Sequence, residues 1–382
     1  MILTALALSL LFLVLAQHPF VTYPLSLRLV RYLRGPARDM PSSAREPSFA
    51  ICMSAFNEEA IIVRKIANLL ELKSTVAECQ ILIYVDAATD RTADLLSTYR
   101  DQITLVVGTE RHGKSHGLNE LVGRTTADLL VFTDANVEID HLALVRIGAR
   151  FRDARIGCVC GHLLYTNGSE TAAASAGSLY WRIEEGIKQL ESDTIGIIGA
   201  DGSLFAIRRA LHQPVPPDII DDFYISMRIL LAGYRVVREP QALAFERTAS
   251  DNREEFRRKI RIACQAFNVH RLIWPAVTSS NAILYGYVSH RLLKWLTIYN
   301  LGLFATFFAW AMFLAVPIQY FMALLFAAMA LSAYIAFGNS RLVAQLRSMF
   351  LGLLGPGVGV WRSLRGDRFQ TWQPLSTVRR AT

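Results

Sequence analysis

Phe49-Ala50-Ile51-Cys52-Met53 is an unbroken apolar run that gives way at once to Ser54-Ala55-Phe56-Asn57-Glu58-Glu59. An apolar run without alternation suits a strand buried on both faces. Helical spacing follows over Glu58–Leu72. The unit then recurs. Apolar runs at Ile81–Val85, Ile103–Val107 and Leu129–Thr133 each end in polar residues, and helical spacing returns at Thr92–Tyr99 and Lys114–Arg124. Strand–helix units of this length predict an α/β domain with a doubly wound, mostly parallel sheet and helices on both faces.

In such sheets ligands bind at the carboxyl ends of the strands, near the reversal of strand order. The residues expected there are Asn57-Glu58-Glu59, Asp86 with Asp90, Arg111-His112-Gly113-Lys114 and Thr133-Asp134-Ala135-Asn136. Each alone has a plain reading, because Asx residues cap helices and Gly-Lys is compatible with any turn that opens one. Their joint placement on one edge is what points to function. Asp134 and Asn136 offer two hard oxygen ligands at i and i+2, suited to Mg²⁺ or Mn²⁺ that also binds substrate phosphates. Asp86 is placed to accept hydrogen bonds from a nucleobase or ribose, and Lys114 to hold a phosphate near a helix N-terminus. No Walker A loop is present, which argues against a phosphoryl-transfer ATPase.

Outward from this core the composition changes. The chain has 382 residues and a net charge of +8, with 52% hydrophobic and only 19% charged residues. These values exclude a disordered protein, a disulfide-stapled mini-protein and an ordinary cytosolic enzyme. Met1–Leu27 and Trp295–Ser340 contain no Asp, Glu, Lys or Arg. They predict membrane spans near Ile2–Tyr23, Thr297–Val316 and Ile318–Phe337, with Pro317 at the turn. A signal peptide fits the first span badly, since no charged n-region precedes it. Arg28, Arg31, Arg34 and Arg38 follow it directly. By the positive-inside rule they keep the next segment in the cytoplasm and the N-terminus outside.

Arg28–Arg45, Arg253–Arg271 and Arg341–Thr382 are strongly basic, and the remainder is net acidic. Basic residues beside membrane segments point to membrane lipids as partners. Nucleic acid is not expected, because the interleaved aromatics of a base-stacking surface are missing. Leu284–Leu296 mixes apolar residues with His290, Arg291 and Lys294 and predicts a helix lying in the head-group plane. Phe350–Trp361, interrupted by Gly355-Pro356-Gly357, predicts a short surface or re-entrant element. The five cysteines lack metal-ligand spacing and are expected as reduced core thiols, with Cys158 and Cys160 on one strand face.

Taken in order, these motifs resemble the family 2 glycosyltransferases, the inverting enzymes of GT-A fold that use a nucleotide-diphosphosugar donor. The resemblance runs from about Phe49 to Arg271. It rests on Phe56-Asn57-Glu58-Glu59, Asp86 with Asp90, Gly113-Lys114, Thr133-Asp134-Ala135-Asn136, Gly199-Ala200-Asp201-Gly202-Ser203, Asp221-Asp222 and Arg258-Lys259-Ile260-Arg261. The flanking helices are similar to those of the membrane-embedded branch that makes polysaccharides and glycolipids.

The resemblance implies roles. Asn57, Glu58, Asp86, Lys114, Arg258 and Arg261 fall in the donor-nucleotide group, with Asp86 on the base and Arg261 on the diphosphate. Asp134 and Asn136 stand at the DxD position and would hold Mg²⁺ or Mn²⁺. Asp222 matches the general base. Asp201, Trp181 and Asp221 are the acceptor candidates, although Asp201 also suits a turn, Trp181 ordinary packing and Asp221-Asp222 a cap on a helix at Phe223–Leu231. Two positions depart from the pattern. Asn136 replaces the second aspartate, and Ile262 replaces the tryptophan of the QxxRW motif that stacks on the acceptor in processive synthases.

The expected enzyme is a membrane-bound transferase that moves a sugar from a UDP- or related nucleotide sugar to a lipid-linked or glycan acceptor. A processive synthase of the cellulose, chitin or hyaluronan type and a non-catalytic membrane scaffold are the alternatives. The expected division is an anchor at 1–27, a basic linker at 28–48, the catalytic domain at 49–271, interfacial helices at 272–296, two spans at 297–337 and an interfacial segment with a basic cytoplasmic tail at 338–382. The membrane is expected to be the inner or plasma membrane.

Overall fold

The apolar run at Phe49 forms β1 (Phe49–Ala55), in which every residue is buried. Phe49, Ile51, Met53 and Ala55 face one side of the sheet, and Ala50 and Cys52 the other, as the two-residue period of a strand requires. Each fully buried Ile or Met contributes about 1.5–3 kcal/mol, so a shift of register by one residue is strongly opposed. The computed structural model describes residues 1–35, 45–166, 172–247, 252–338 and 340–373.

Before β1 lie α1 (Ile2–Gln17) and α2 (Thr22–Arg34). After it come α3 (Ile62–Lys73), β2 (Cys79–Val85), α4 (Thr92–Ser97), β3 (Thr104–Val107), α5 (Lys114–Val122), β4 (Leu129–Thr133), β5 (Glu138–Ile139) and α6 (Ala143–Arg150). Then follow β6 (Ile156–Tyr165), α7 (Ala172–Asp193), β7 (Leu204–Arg208), α8 (Asp221–Leu231), β8 (Arg235–Glu246) and α9 (Asn252–Val277). The strands form one sheet in the order β3-β2-β1-β4-β7-β6-β8-β5. The β3-β2-β1-β4 half is parallel throughout. The other half is mixed, with β7 antiparallel to β4 and β6, β8 parallel to β6, and β5 antiparallel to β8. Residues of α5, α8 and α9 pack on one face and those of α3 and α6 on the other. The strand order reverses between β1 and β4, so the crevice beyond their carboxyl ends is where a ligand belongs.

The chain continues through α10 (Asn281–Gly286), a π-helical stretch Tyr287–Leu292, α11 (Leu293–Trp295), α12 (Thr297–Ala315), α13 (Ile318–Phe337) and α14 (Arg341–Leu364). Thr297–Ala315, Ile318–Phe337 and Leu342–Leu364 are long and apolar enough to cross a membrane. No residue of α13 is buried, and an apolar helix with no protein cover is a membrane helix.

Three expectations about the flanks need correction. The first span is not one helix to Tyr23. Pro19 has no N–H to continue the ladder, and α1 and α2 meet with a 62° bend. Arg28, Arg31 and Arg34 therefore lie on a helix, not in a linker; Tyr23 and Leu27 of that helix pack on Ile187 and Leu190 of α7. Residues 36–44 of the expected linker, Arg38 included, and the tail from 374 lie outside the described residues.

Phe350–Trp361 is not a broken element either, because α14 runs through Pro356 without interruption. Its glycines serve close packing. A side chain at Gly359 would lie 2.6 Å from both Ala263 Cβ and Ile260 O of α9, and one at Gly355 would lie 3.0 Å from Lys259 Cβ. Helix contact that close offsets the ladder bond lost at Pro356.

Leu284–Leu296 is not free to lie against head groups. Tyr287, Ser289, His290 and Trp295 are buried, and Lys294 pairs with Glu184 of α7 at 2.8 Å. Its polar residues had internal partners that composition could not show.

Candidate active site

The ends of β1 and β2 carry strained backbone, with Asn57 at φ 53° and Ala87 at φ 50°, a sparsely populated region that clusters at functional sites. Asn57 does not reach into open space. Its amide donates to Thr89 Oγ1 at 3.1 Å and its carbonyl accepts from Thr89 N at 2.8 Å, which ties the two strand ends together. Glu58 is buried below that tie, and its backbone N–H donates to Thr92 Oγ1. Asp86 is 0% exposed. It accepts the N–H groups of His112 at 2.8 Å and Gly113 at 3.1 Å and lies 3.6 Å from Arg111 Nε. Asp86 thus shapes the loop that opens α5.

Arg111 is held over the Phe56 ring at 3.4 Å and donates to Trp372 O at 2.7 Å. Gln370 donates to His112 O at 3.1 Å. The carboxy-terminal segment 368–372 therefore crosses this edge of the sheet, held farther back by Gln265 on Phe369 O at 2.7 Å and by Arg368 on Asp218 at 2.9 Å. Gly113 (φ 88°) is required here, since a side chain would strike the Gln370 carbonyl.

At the centre lies a charge cluster. Lys114 Nζ is 2.8 Å from Asp134 Oδ1 and 3.2 Å from Asp221 Oδ2. Burial disfavours its charge, but Asp134, Asp221 and Asp222 outweigh burial and raise its pKa. A Cβ at Gly202 would lie 3.1 Å from Asp222 Oδ2 and 3.3 Å from Lys114 Nζ, so any larger residue would crowd the ends of both side chains. Asp221 and Asp222 occupy the first turn of α8, and Asp222 Oδ1 accepts from Phe223 N at 2.6 Å. The helix N-terminus would favour the anion. Burial and the neighbouring Asp221 nevertheless push the Asp222 carboxyl up to about 7. Arg261 hydrogen-bonds Gln265 at 3.1 Å, and burial with Arg258 lowers it to about 10.

Asn136 donates to Glu246 Oε1 at 2.9 Å, and Arg258 lies 3.6 Å from the same oxygen. This explains the departure at 136: an aspartate there would face a buried carboxylate. Buried Lys65 braces the turn from behind through Thr133 Oγ1 at 3.2 Å and Val137 O at 2.5 Å. Among the described residues no three His, Cys, Asp or Glu side chains converge as a metal cage. Asp134 offers a single carboxylate, 39% exposed. That donor set fits a hard cation completed by phosphate oxygens and water, which is how Mg²⁺ sits in phosphate-binding sites.

The remaining acceptor candidates lie on the α7 side. Lys188 bridges Asp201 at 2.8 Å and Glu185 at 3.1 Å, and against burial it keeps the Asp201 carboxyl below its usual value. Trp181 donates to Leu163 O at 3.0 Å, with Lys188 Nζ 4.4 Å from its ring. Lys114, Asp134, Asp221 and Asp222 are thus brought together. Arg258 joins through Glu246, Asp86 through the Gly113 loop, and Asn57, Glu58 and Trp181 brace the surroundings. Sequence reasoning put Arg111 at this edge without giving it a role, and it missed Glu246 and Trp372. The aromatic pair Phe369 and Trp372 in a mostly polar tail was the signal available.

Comparison with known proteins decides the family. The glycosyl transferase family 2 profile matches residues 50–215, and the glycosyl transferase family group 2 profile matches residues 143–337. The chain belongs to glycosyl transferase family group 2. It is 23% identical to the O-antigen chain rhamnosyltransferase WbaN of Salmonella anatum, over 56% of this chain and 70% of that one. It is 24% identical to the poly-beta-1,6-N-acetyl-D-glucosamine synthase of Staphylococcus aureus, over 50% of this chain and 48% of the synthase, so it spans about half of that relative's length. In fold it is similar to the mannosyltransferase PcManGT from Pyrobaculum calidifontis, solved with GDP-Man and Mn²⁺, at a TM-score of 0.69 and 20% identity over 94% of this chain and 99% of that one. This family 2 transferase therefore has a GT-A-like fold, with membrane helices attached at its carboxyl end.

Proposed function

We propose that this transferase catalyses inverting transfer of a sugar from a nucleotide-diphosphosugar to a lipid-linked or membrane-associated acceptor, in glycolipid or exopolysaccharide assembly. One observation carries the reading: a buried carboxylate, Asp222, with its pKa raised to about 7 beside the Lys114–Asp134 pair at the mouth of the crevice. A base poised near neutrality suits a weak hydroxyl nucleophile.

In this mechanism Asp222 accepts the acceptor's hydroxyl proton while that oxygen bonds to the anomeric carbon. The bond from that carbon to the diphosphate oxygen breaks, and its electron pair leaves on the nucleoside diphosphate. A single displacement from the opposite side inverts the configuration. Lys114 and Arg261 neutralise the leaving group, and Asp134, with Asn136 beside it, would hold a divalent cation. Such a cation supplies further charge neutralisation on the diphosphate. Asp86 and Arg111, between Phe56 and Trp372, form the nucleoside end. By the positive-inside rule, the basic residues of α2 and of the carboxyl-terminal segment support a catalytic domain, from about residue 49 to 271, on the cytoplasmic side of the inner or plasma membrane, with the N-terminus outside.

Ile262 in place of the stacking tryptophan favours single addition over processive extension. The test is transfer from radiolabelled UDP-, GDP- and dTDP-sugars by the purified protein in nanodiscs made with a bacterial lipid extract, with Mg²⁺ or Mn²⁺. Label moving into one discrete lipid-soluble product supports the reading. A ladder or high polymer would replace it with the processive alternative, and no transfer from any donor would overturn it.

A further inference from the structure

Asp222 works only if the loop above it stays in place, and that loop, Gly199-Ala200-Asp201-Gly202-Ser203, is bound from an unexpected direction. Arg291 lies in the π-helical stretch just before the membrane helices, a helix form frequent at functional sites. Its Nε donates to Ile198 O at 2.5 Å and its Nη2 to Gly199 O at 2.8 Å. One guanidinium thus holds two successive carbonyls, a task for a planar fork that an ammonium cannot reproduce. The third nitrogen, Nη1, lies 3.4 Å from Glu184 Oε1, and Cζ lies 5.5 Å from the Phe223 ring, next in sequence to Asp222.

The loop fits this grip closely. Gly199 has φ 90°, and a side chain there would run into Phe223 and lie 3.1 Å from Arg291 Nη2. Ala200 N donates to Ser226 Oγ at 2.8 Å, and Ser226 in turn donates to Asp222 O at 2.7 Å. Farther along, Ser203 O accepts from Thr133 Oγ1 at 2.8 Å. Gly202, between these two ties, is the residue that overhangs Asp222 and Lys114.

We propose that Arg291 is a positioning residue for the transfer reaction: from the membrane-proximal helix it fixes the Ile198–Ser203 loop over Asp222. The inference rests on the function proposed above for Asp222. It touches neither the donor edge nor Asp134, so its loss should slow turnover while leaving donor binding nearly intact.

The experiment compares full-length wild type, Arg291→Lys and Arg291→Ala in nanodiscs, by hydrogen exchange and by nucleoside diphosphate release. Peptides covering 197–203 should exchange at least about tenfold faster in both variants, with β1 peptides unchanged. Release should fall about 30-fold in kcat, with donor KM changed less than about threefold. Added guanidinium should restore part of the activity of Arg291→Ala, and lysine at 291 should not. Unchanged exchange over 197–203, full activity in Arg291→Lys, or a loss confined to donor KM would each overturn the proposal. If wild type itself releases no nucleoside diphosphate, the reading of Asp222 fails with it, whereas unchanged exchange in an active enzyme removes Arg291 alone.

Discussion

The two halves of the sheet are built differently. In the parallel half, β3-β2-β1-β4, candidate site residues sit at the ends of their own strands, Asn57 after β1, Asp86 after β2 and Asp134 after β4, and Lys114 opens the helix that follows β3. In the mixed half, β7-β6-β8-β5, residues of α7 and of the loop before β7 are fixed by partners far away in sequence. Arg291 holds Gly199, Lys294 holds Glu184, and His290 lies between Glu184 at 3.2 Å and Glu191 at 2.7 Å. Under the proposed function the parallel half is the donor half, built mainly from local residues, although Gln370 and Trp372 reach it from far along the chain. The mixed half is the acceptor half, held by long-range partners next to the apolar helices. Asp222 stands where the two meet, as the proposed transfer from a soluble donor to a membrane-borne acceptor requires.

Mutations should separate the halves. Removing the base with Asp222→Asn should lower kcat about a thousandfold with donor KM within about threefold, as measured by nucleoside diphosphate release. Lys114→Met strips charge from the donor half and should cost about a hundredfold in kcat/KM. Asn136→Asp sets a carboxylate against Glu246, and a loss of about tenfold is expected. Adding Glu246→Gln should recover most of it, and a double-mutant cycle reads the coupling as about 1.4 kcal/mol. The smallest effect belongs to Trp372→Ala, which removes one aromatic neighbour of Arg111 and should raise donor KM about fourfold. If Trp372→Ala instead lowered kcat with KM unchanged, the strap over the donor edge would belong with the acceptor half.

The same contrast governs how much could be read in advance. β4 runs over Leu129–Thr133 as its apolar run predicts, and Asp134 emerges at its end. β8 was not visible, because Arg235, Glu239, Pro240 and Gln241 interrupt its pattern and its pairing with β6 carries register shifts. The break expected at Gly355-Pro356-Gly357 is instead continuous helix for a related reason: Gly355 faces Lys259 of α9 and Gly357 faces Ile298 of α12, contacts that no local pattern reveals. Lys114 and Asp222 were identified by type and place, but their meeting through Asp221 and Asp134, under Gly202, is a long-range arrangement that no local pattern shows. Asn136 looked like a weakened metal ligand, and the structure shows its amide donating to Glu246, a partner 110 residues away.

The most direct test of the account is the pH dependence of nucleoside diphosphate release. Asp222 acts as a base only when deprotonated, and its carboxyl is raised to about 7. The wild-type kcat should therefore level off above that pH and fall about tenfold for each unit below it. In Asp222→Asn the residual rate should lose this acidic limb. A wild-type rate that stays flat from about pH 5.5 to 8, or a limb that survives the substitution unchanged, would contradict the assignment of Asp222 as the base.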